Sequence, residues 1–204
     1  MDEELRSLMD RVRGEARDGA GAGTGAGADA GAGGLAAYER LFATEDLDEL
    51  ALVLTEAERP LWARETAAFR LGCAGDRRAF ETLVLLLNHR DPERCVTAAY
   101  ALARLGDPRT ARAAAALATN PLRTAYALHP VRLLTELRAP ETVPALIATL
   151  RGLLAPANPH WRVALACVEG LGKLRDARAR PVLEAALGHP RLTAAASAAL
   201  SRLA

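Results

Sequence analysis

Five arginines stand where related segments of the chain repeat, close to the predicted starts of helices. A guanidinium group carries five hydrogen-bond donors and keeps its charge at physiological pH, so a row of arginines suits carboxylates or phosphates. The row predicts a surface that binds an acidic peptide or a phosphate backbone. Its members are Arg78, Arg109 and Arg178, at the same place in three segments, with Arg112 and Arg180 close by. In the third of the four segments the equivalent residue is Glu141.

The same arginines also have a structural interpretation. Each stands close to an aspartate of a predicted turn, and pairing with the aspartates of adjacent repeats would form a structural ladder. These aspartates are Asp76, Asp107 and Asp176. The two interpretations are compatible, because a guanidinium group that donates to one carboxylate has donors left for another.

Two tryptophans are the candidate aromatic anchors. Trp62 and Trp161 both precede apolar helical patterns, near the start of a predicted first helix. Packing between repeats explains them, since a large ring fills such a junction. An exposed indole would instead stack on a base or hold a peptide.

The histidines and cysteines do not form a recognisable reactive site. No two histidines have metal-ligand spacing, and neither Cys95 nor Cys167 has a candidate base within one helical turn. The residues concerned are His89, His129, His160 and His189, with Cys73, Cys95 and Cys167. We therefore predict no catalytic residue, no metal and no cofactor. Isolated cysteines in odd number also favour reduced thiols.

The elements that position these residues are stacked helices. One leucine recurs along the chain, followed three residues later by a second apolar residue in most copies. Recurrence every 20 to 50 residues indicates a repeat array, and the 3- and 4-residue spacing within each copy indicates helices. The sequence therefore predicts an all-α fold, a short α-solenoid of antiparallel helix pairs. The recurring leucines are Leu71, Leu102, Leu134, Leu171 and Leu200.

Short turns separate the helices of each pair. Gly75-Asp76 and Gly106-Asp107 combine a residue suited to left-handed backbone with one suited to capping the next helix. The signal weakens later, where Arg138-Ala139 and Arg175-Asp176 occupy the same places. The predicted array spans residues 35–204, with a divergent first pair at 35–59. Repeats follow at 60–91, 92–120, 121–158 and 159–189, and a terminal half-repeat at 190–204.

Residues 1–34 differ from the array. Residues 1–18 predict an amphipathic helix, and residues 19–34, rich in glycine and alanine, predict a flexible linker. Residues 1–59 hold 6 arginines against 14 acidic residues, whereas residues 60–204 hold 20 basic against 11 acidic residues. An acidic leading helix tethered to a basic array predicts that the helix occupies or regulates the groove of the array.

Two further sequence features indicate where in the cell the protein is expected. No stretch reaches the roughly 18 apolar residues of a membrane helix, and the first residues are acidic where a signal peptide is basic. We expect a cytoplasmic protein that makes no membrane contact. The large excess of arginine over lysine indicates a GC-rich coding genome, because Lys173 is the only lysine.

The segment Ala98 to Arg109 carries a family resemblance. Its pattern, Ala-Ala-x-x-Leu-x-x-Leu-Gly-Asp-x-Arg, resembles the HEAT-like repeats of the phycobilin-lyase type, over about residues 60–204. The resemblance implies an α-solenoid whose second helices line a concave face, which would place the arginine row there. The motif describes packing and turns, which many unrelated activities share.

The leading functional hypothesis is a non-enzymatic scaffold or adaptor that binds a protein partner, possibly acidic, in this groove. The second is a nucleic-acid cradle, as in HEAT-like DNA glycosylases, although the aromatic and acidic set of those enzymes is not recognisable here. The third, from the family label, is a bilin lyase-like subunit, for which the chain has few aromatic residues.

Overall fold

The computed structural model describes residues 7–19, 28–155 and 157–203. In these ranges every regular element is a helix, and they contain no strand. The predicted all-α fold of packed helix pairs is thereby confirmed. The chain divides into two compact units, Met1–Asp107 and Pro108–Ala204, called unit 1 and unit 2 below.

Unit 1 contains six α-helices among its described residues. The leading helix α1 packs on α2 and α4. Helices α3 to α6 pack in the order of the chain, and α4 also packs against α2 and α6. A 3₁₀ turn, Arg77–Ala79, leads into α5. The helices are α1 (Asp10–Arg17), α2 (Ala28–Ala43), α3 (Leu47–Thr55), α4 (Leu61–Cys73), α5 (Phe80–Leu87) and α6 (Pro92–Leu105).

Unit 2 also contains six α-helices among its described residues. Its first helices α8, α10 and α12 pack side by side, and α9 packs against α10 and α7. Two 3₁₀ segments, Pro121–Tyr126 and Ala177–Ala179, precede α8 and α11. The helices are α7 (Arg109–Thr119), α8 (Leu128–Leu137), α9 (Thr142–Leu153), α10 (Trp161–Leu174), α11 (Arg180–Ala186) and α12 (Thr193–Ser201).

The recurring leucine marks the core of both units. Leu71, Leu102, Leu134 and Leu171 are at most 1% exposed, whereas Leu200, in the last helix, is partly exposed. Burying one leucine stabilises a fold by roughly 1.5–3 kcal/mol, so this row contributes substantially to both cores. A terminal helix has a neighbour on one side only, which explains the partial exposure of Leu200.

Four of the turns within helix pairs use the same left-handed backbone. Gly75 and Gly106 have φ of 78° and 65°, and the arginines at the equivalent later positions, Arg138 and Arg175, have φ of 52° and 55°. The turn geometry therefore persists where its sequence signal weakens. A side chain at positive φ costs about 1–2 kcal/mol, which the packing of the flanking helices must offset.

The N-terminal boundaries differ from the prediction. Helix α2 begins at Ala28, so residues 28–34 are helical although the linker was predicted to extend to Gly34. A Cβ on Gly34 would lie 2.1 Å from the Ala16 carbonyl oxygen, so this glycine permits backbone contact between α1 and α2. Two predicted segments lie outside the described residues. They are the remaining part of the linker, residues 20–27, and the start of the leading helix, residues 1–6.

Candidate partner-binding surfaces

The predicted arginine row divides between the units, and Arg78 is its member in unit 1. Arg78 donates to Asp76 from Nε at 3.0 Å and from Nη2 at 2.6 Å. Its Nη1 donates to Asp48 Oδ1, at the start of α3, at 2.7 Å. The hydrogen bonds from Arg78 hold the pKa of Asp76 below its usual value. Arg78 thus joins two neighbouring second helices, α3 and α5.

Arg178 repeats part of this arrangement in unit 2. Its Nε and Nη2 donate to Asp176 at 2.9 and 2.7 Å, and these bonds lower the pKa of the Asp176 carboxyl. The structural alternative paired each arginine with the turn aspartate of an adjacent repeat. That pairing is wrong for Arg78 and Arg178, since each binds the aspartate two residues earlier in its own turn.

The other members of the row lie in unit 2. Arg112 on α7 and Arg180 on α11 are exposed, and Arg180 Nη2 donates to the Leu203 carbonyl oxygen at 3.5 Å. Arg109 begins α7 and already has an interaction partner. Their role in binding stays a prediction.

The two tryptophans have different environments. Trp62 is 8% exposed near the start of α4, as expected of a packing residue. Trp161, the first residue of α10, is partly exposed. The guanidinium groups of Arg162 and Arg191 both lie over its ring, with Cζ 5.3 and 5.0 Å from the centroid. Trp161 is therefore the tryptophan that an external partner can reach.

The net charge has opposite signs in the two units. Residues 1–107 hold 13 arginines against 20 acidic residues, and residues 108–204 hold 13 basic against 5 acidic residues, giving net charges of −7 and +8. Several cations of unit 2 have no carboxylate oxygen within 4 Å among the described residues. These are Arg112, Arg132, Arg138, Arg151, Arg162, Lys173, Arg175, Arg180, Arg191 and Arg202.

An open groove lies between α8 and α10 in unit 2. It has a volume of about 670 Å³, and its lining includes Arg132, Arg138 and Lys173 together with two glutamates. The helices approach closely here, because a Cβ on Gly170 would lie 2.4 Å from Thr135 Oγ1. The mixture of charges makes this groove less basic than the unit as a whole.

Helix α1 is docked on two other helices within unit 1. Met9, Val12 and Ala16 are fully buried, and α1 packs against α2 and α4. Both of these are first helices of their pairs. The prediction that the leading helix occupies a groove of second helices is therefore wrong for the described part of unit 1.

A buried ionic cluster reinforces this docking. Glu65, 1% exposed on α4, accepts hydrogen bonds from Arg11, Arg94 and Thr97, the last at 3.1 Å. Arg94 Nη2 also donates to both carboxylate oxygens of Glu15, at 2.7 and 2.6 Å. Burial raises the pKa of the Glu65 carboxyl, and the two arginines oppose that effect. We call these four charged residues the Glu65 cluster.

The sequence contained a signal for this cluster. Glu65 and Arg94 each interrupt an otherwise apolar face, and Arg11 and Glu15 are spaced four apart on α1. Charged residues are almost never fully buried unless they are paired. A glutamate among core positions of a first helix therefore predicts a basic partner, although its position in the chain does not identify that partner.

Two thiols are fully or partly buried, and two imidazoles accept hydrogen bonds within their own turns. Burial raises the pKa of Cys73 to about 11 and that of Cys167 to about 12, so both thiols stay protonated near neutral pH. His89 Nδ1 and His189 Nδ1 each accept a backbone N–H two residues later, at 3.0 and 3.2 Å. The described residues contain no group of three or more metal-ligating side chains.

One repeat of the chain matches a known family model. Residues 163–189, which extend from α10 through α11, match the family model described as PBS lyase HEAT-like repeat. The chain is a HEAT-like repeat protein. The match falls on the repeat whose turn reads Arg175-Asp176, although the pattern is best preserved around Gly106-Asp107. No curated protein matches this HEAT-like protein.

The comparison establishes the repeat and leaves the activity open. A HEAT-like unit specifies helix packing, on which different functions are built. Among the described residues, no helix has the length and apolar character needed to cross a membrane.

Proposed function

We propose that this HEAT-like protein is a non-enzymatic, cytoplasmic scaffold that binds an acidic protein partner through unit 2. The observation that carries the proposal is the uncompensated charge of that unit, 13 basic against 5 acidic residues. Arginine-rich surfaces attract acidic partners over distances comparable to the Debye length and accelerate association. Two predicted row residues, Arg112 and Arg180, are exposed there without a carboxylate partner among the described residues.

The non-enzymatic part of the proposal rests on the roles of the reactive groups. The thiols of Cys73 and Cys167 are held protonated by burial, which makes them poor nucleophiles. His89 and His189 use Nδ1 as an acceptor within their turns, so that nitrogen is not available as a general base.

Binding of an oligo-glutamate peptide to the full chain tests the proposal. We expect saturable binding by calorimetry at low ionic strength, and much weaker heats with an oligo-glutamine peptide of equal length. Replacing Arg112 and Arg180 by glutamine should weaken binding. Replacing Arg77 and Arg90, two exposed arginines of unit 1, should have a smaller effect. Equal binding of the two peptides would contradict a charge-based partner site.

Nucleic acid is the second candidate, favoured by the same net charge of +8. Binding through phosphates releases condensed counterions, so the affinity falls linearly on a log–log plot against salt. A duplex oligonucleotide that displaces the oligo-glutamate peptide at lower concentration, with such a slope, would favour the nucleic-acid function. The bilin lyase-like alternative predicts a visible pigment absorption band after incubation with a linear tetrapyrrole.

A further inference from the structure

Trp161 lies at the centre of a compact cationic site in unit 2. Arg162 follows it on α10, and Arg191 comes from the turn before α12. Both guanidinium groups lie over the same indole ring. Two cations that are distant in sequence are thereby each held within 5.3 Å of the centroid of one aromatic ring.

The turn that carries Arg191 is held by hydrogen bonds. His189 is 3% exposed, and its Nδ1 accepts the backbone N–H of Arg191 at 3.2 Å. Thr193 Oγ1 donates to the carbonyl oxygens of Leu187 and His189, both at 3.0 Å. Arg191 therefore projects from an ordered backbone, which reduces the entropy lost when its side chain binds a ligand.

The two arginines differ from Arg78 and Arg178 in having no carboxylate oxygen within 4 Å among the described residues. A guanidinium group that stacks on a ring uses its face, and its N–H edges stay available for hydrogen bonds. Two like charges held near one ring also repel each other, and an anion that binds both of them relieves that repulsion.

We propose that Trp161, Arg162 and Arg191 form the anchor at which unit 2 binds a carboxylate-rich segment of its protein partner. The proposal rests on the proposed function and identifies where the acidic residues of that partner bind. The arrangement favours carboxylates over bases, because a base would have to stack on the indole in place of the guanidinium groups. Arginine edges bind carboxylates in bidentate geometry without disturbing that stacking.

The anchor is tested with the full chain and a fluorescein-labelled oligo-glutamate peptide, by fluorescence anisotropy at low ionic strength. The Arg162→Gln, Arg191→Gln double variant should weaken binding by roughly tenfold, the size expected for residues at the centre of an interface. The matched control, Arg151→Gln with Arg202→Gln, removes the same charge from unit 2 and should change the affinity by no more than about twofold. Far-UV circular dichroism checks that both variants keep their helices.

A second readout uses the indole itself. Unlabelled peptide should change the Trp161 fluorescence of the wild-type chain, and the Trp161→Phe variant should lose that change. Persistence of the change in Trp161→Phe would assign it to Trp62 and contradict the anchor.

The remaining outcomes separate the anchor from the proposed function. Equal weakening by the anchor and control variants would overturn the anchor and leave a diffuse basic surface. Absence of peptide binding by the wild-type chain would overturn both. Tighter binding of a single-stranded oligonucleotide than of the peptide, with quenching of Trp161, would replace the protein partner by a nucleic acid.

Discussion

Unit 1 (residues 1–107) and unit 2 (residues 108–204) are both built from helix pairs with left-handed turns. They differ in whether their charged side chains are paired with each other. In unit 1, arginines and carboxylates pair with each other, both at the surface and in the Glu65 cluster. In unit 2, cations exceed acids by 13 to 5, and ten of them have no carboxylate partner among the described residues. The repeat pattern therefore specifies packing and leaves the surface charge free to differ.

The difference separates two uses of arginine. In unit 1, the arginines of the Glu65 cluster hold α1 against α4 and α6. This network must stay intact, because a buried charge that loses its partner destabilises the fold. In unit 2, exposed arginines keep their hydration and contribute little to stability. They are available to a partner. Substitutions in unit 1 should therefore change stability, and equivalent charge changes in unit 2 should change binding.

Glu65→Ala should have the largest effect. It leaves two arginines close together without their shared carboxylate, and breaking a buried pair costs about 3–5 kcal/mol. The free energy of unfolding, measured by urea titration, should fall by that amount. Glu58→Ala, at an exposed position of the same unit, is the control and should change it by less than about 0.5 kcal/mol. A loss below about 1 kcal/mol for Glu65→Ala would mean that the cluster is solvated and does not hold α1.

Glycine-to-alanine substitutions compare the packing of the two units. A Cβ on Gly72 would lie 2.8 Å from Leu83 Cδ1 and 2.9 Å from Ala101 Cβ, and one on Gly172 would lie 2.8 Å from Ala199 Cβ. We expect each alanine variant to lose about 1–3 kcal/mol through overpacking.

Gly14→Ala in α1 is the matched control for these substitutions, because nothing lies within 4 Å of its added Cβ. It should leave the protein as stable or stabilise it by up to about 1 kcal/mol, the difference in helix propensity. Midpoints of thermal unfolding measure all three variants. A stabilising Gly72→Ala or Gly172→Ala would show that the first helices can separate without loss.

Local and periodic features were predictable from the sequence. The recurring leucine identified core positions such as Leu71 and Leu171, and Asp76 caps the 3₁₀ turn before α5 as predicted, accepting the N–H of Arg78 at 3.0 Å. These features depend on neighbouring residues, so a short window of sequence contains them. Even so, Leu200, a member of the same recurring row, is partly exposed.

Contacts between distant segments were not predictable in the same way. The sequence did not identify Arg11 and Arg94 as the partners of Glu65, because hydrogen bonds between residues far apart depend on how the helices pack. The anchor at Trp161 shows the same limit, since Arg191 reaches the ring from another helix pair. Composition predicted that a basic surface exists, and packing determined which of its arginines lie together.

Acid should weaken the fold through histidines in both units. The pKa of His89 is lowered by burial and then by the nearby Arg94, and that of His129 by burial and then by Arg132. The unfolded chain therefore binds protons more readily. Stability is complete above the unfolded pKa of about 6.5 and is lost as pH falls below it, through the lower folded values.

Urea unfolding at about pH 7.5 and about pH 5.5 measures this loss above the range in which ordinary carboxyl groups titrate. His89→Asn and His129→Gln should each reduce the pH dependence. An unchanged dependence in both variants would assign it to other groups. A reduction in His89→Asn alone would place the acid sensitivity in unit 1, where His89 is surrounded by charged residues.

The smallest effects are expected for substitutions of the turn arginines. These variants compare the two units at equivalent positions. Arg78 and Arg178 hold the same place, but Arg78 also donates to Asp48 and to the Leu47 carbonyl oxygen. Arg78→Ala should therefore lower the urea midpoint slightly, and Arg178→Ala should leave it unchanged. If Arg178→Ala instead weakens oligo-glutamate binding while Arg78→Ala does not, the same turn residue is structural in unit 1 and binds the partner in unit 2. Equal effects of both variants on stability and binding would show that charge balance does not separate the two units.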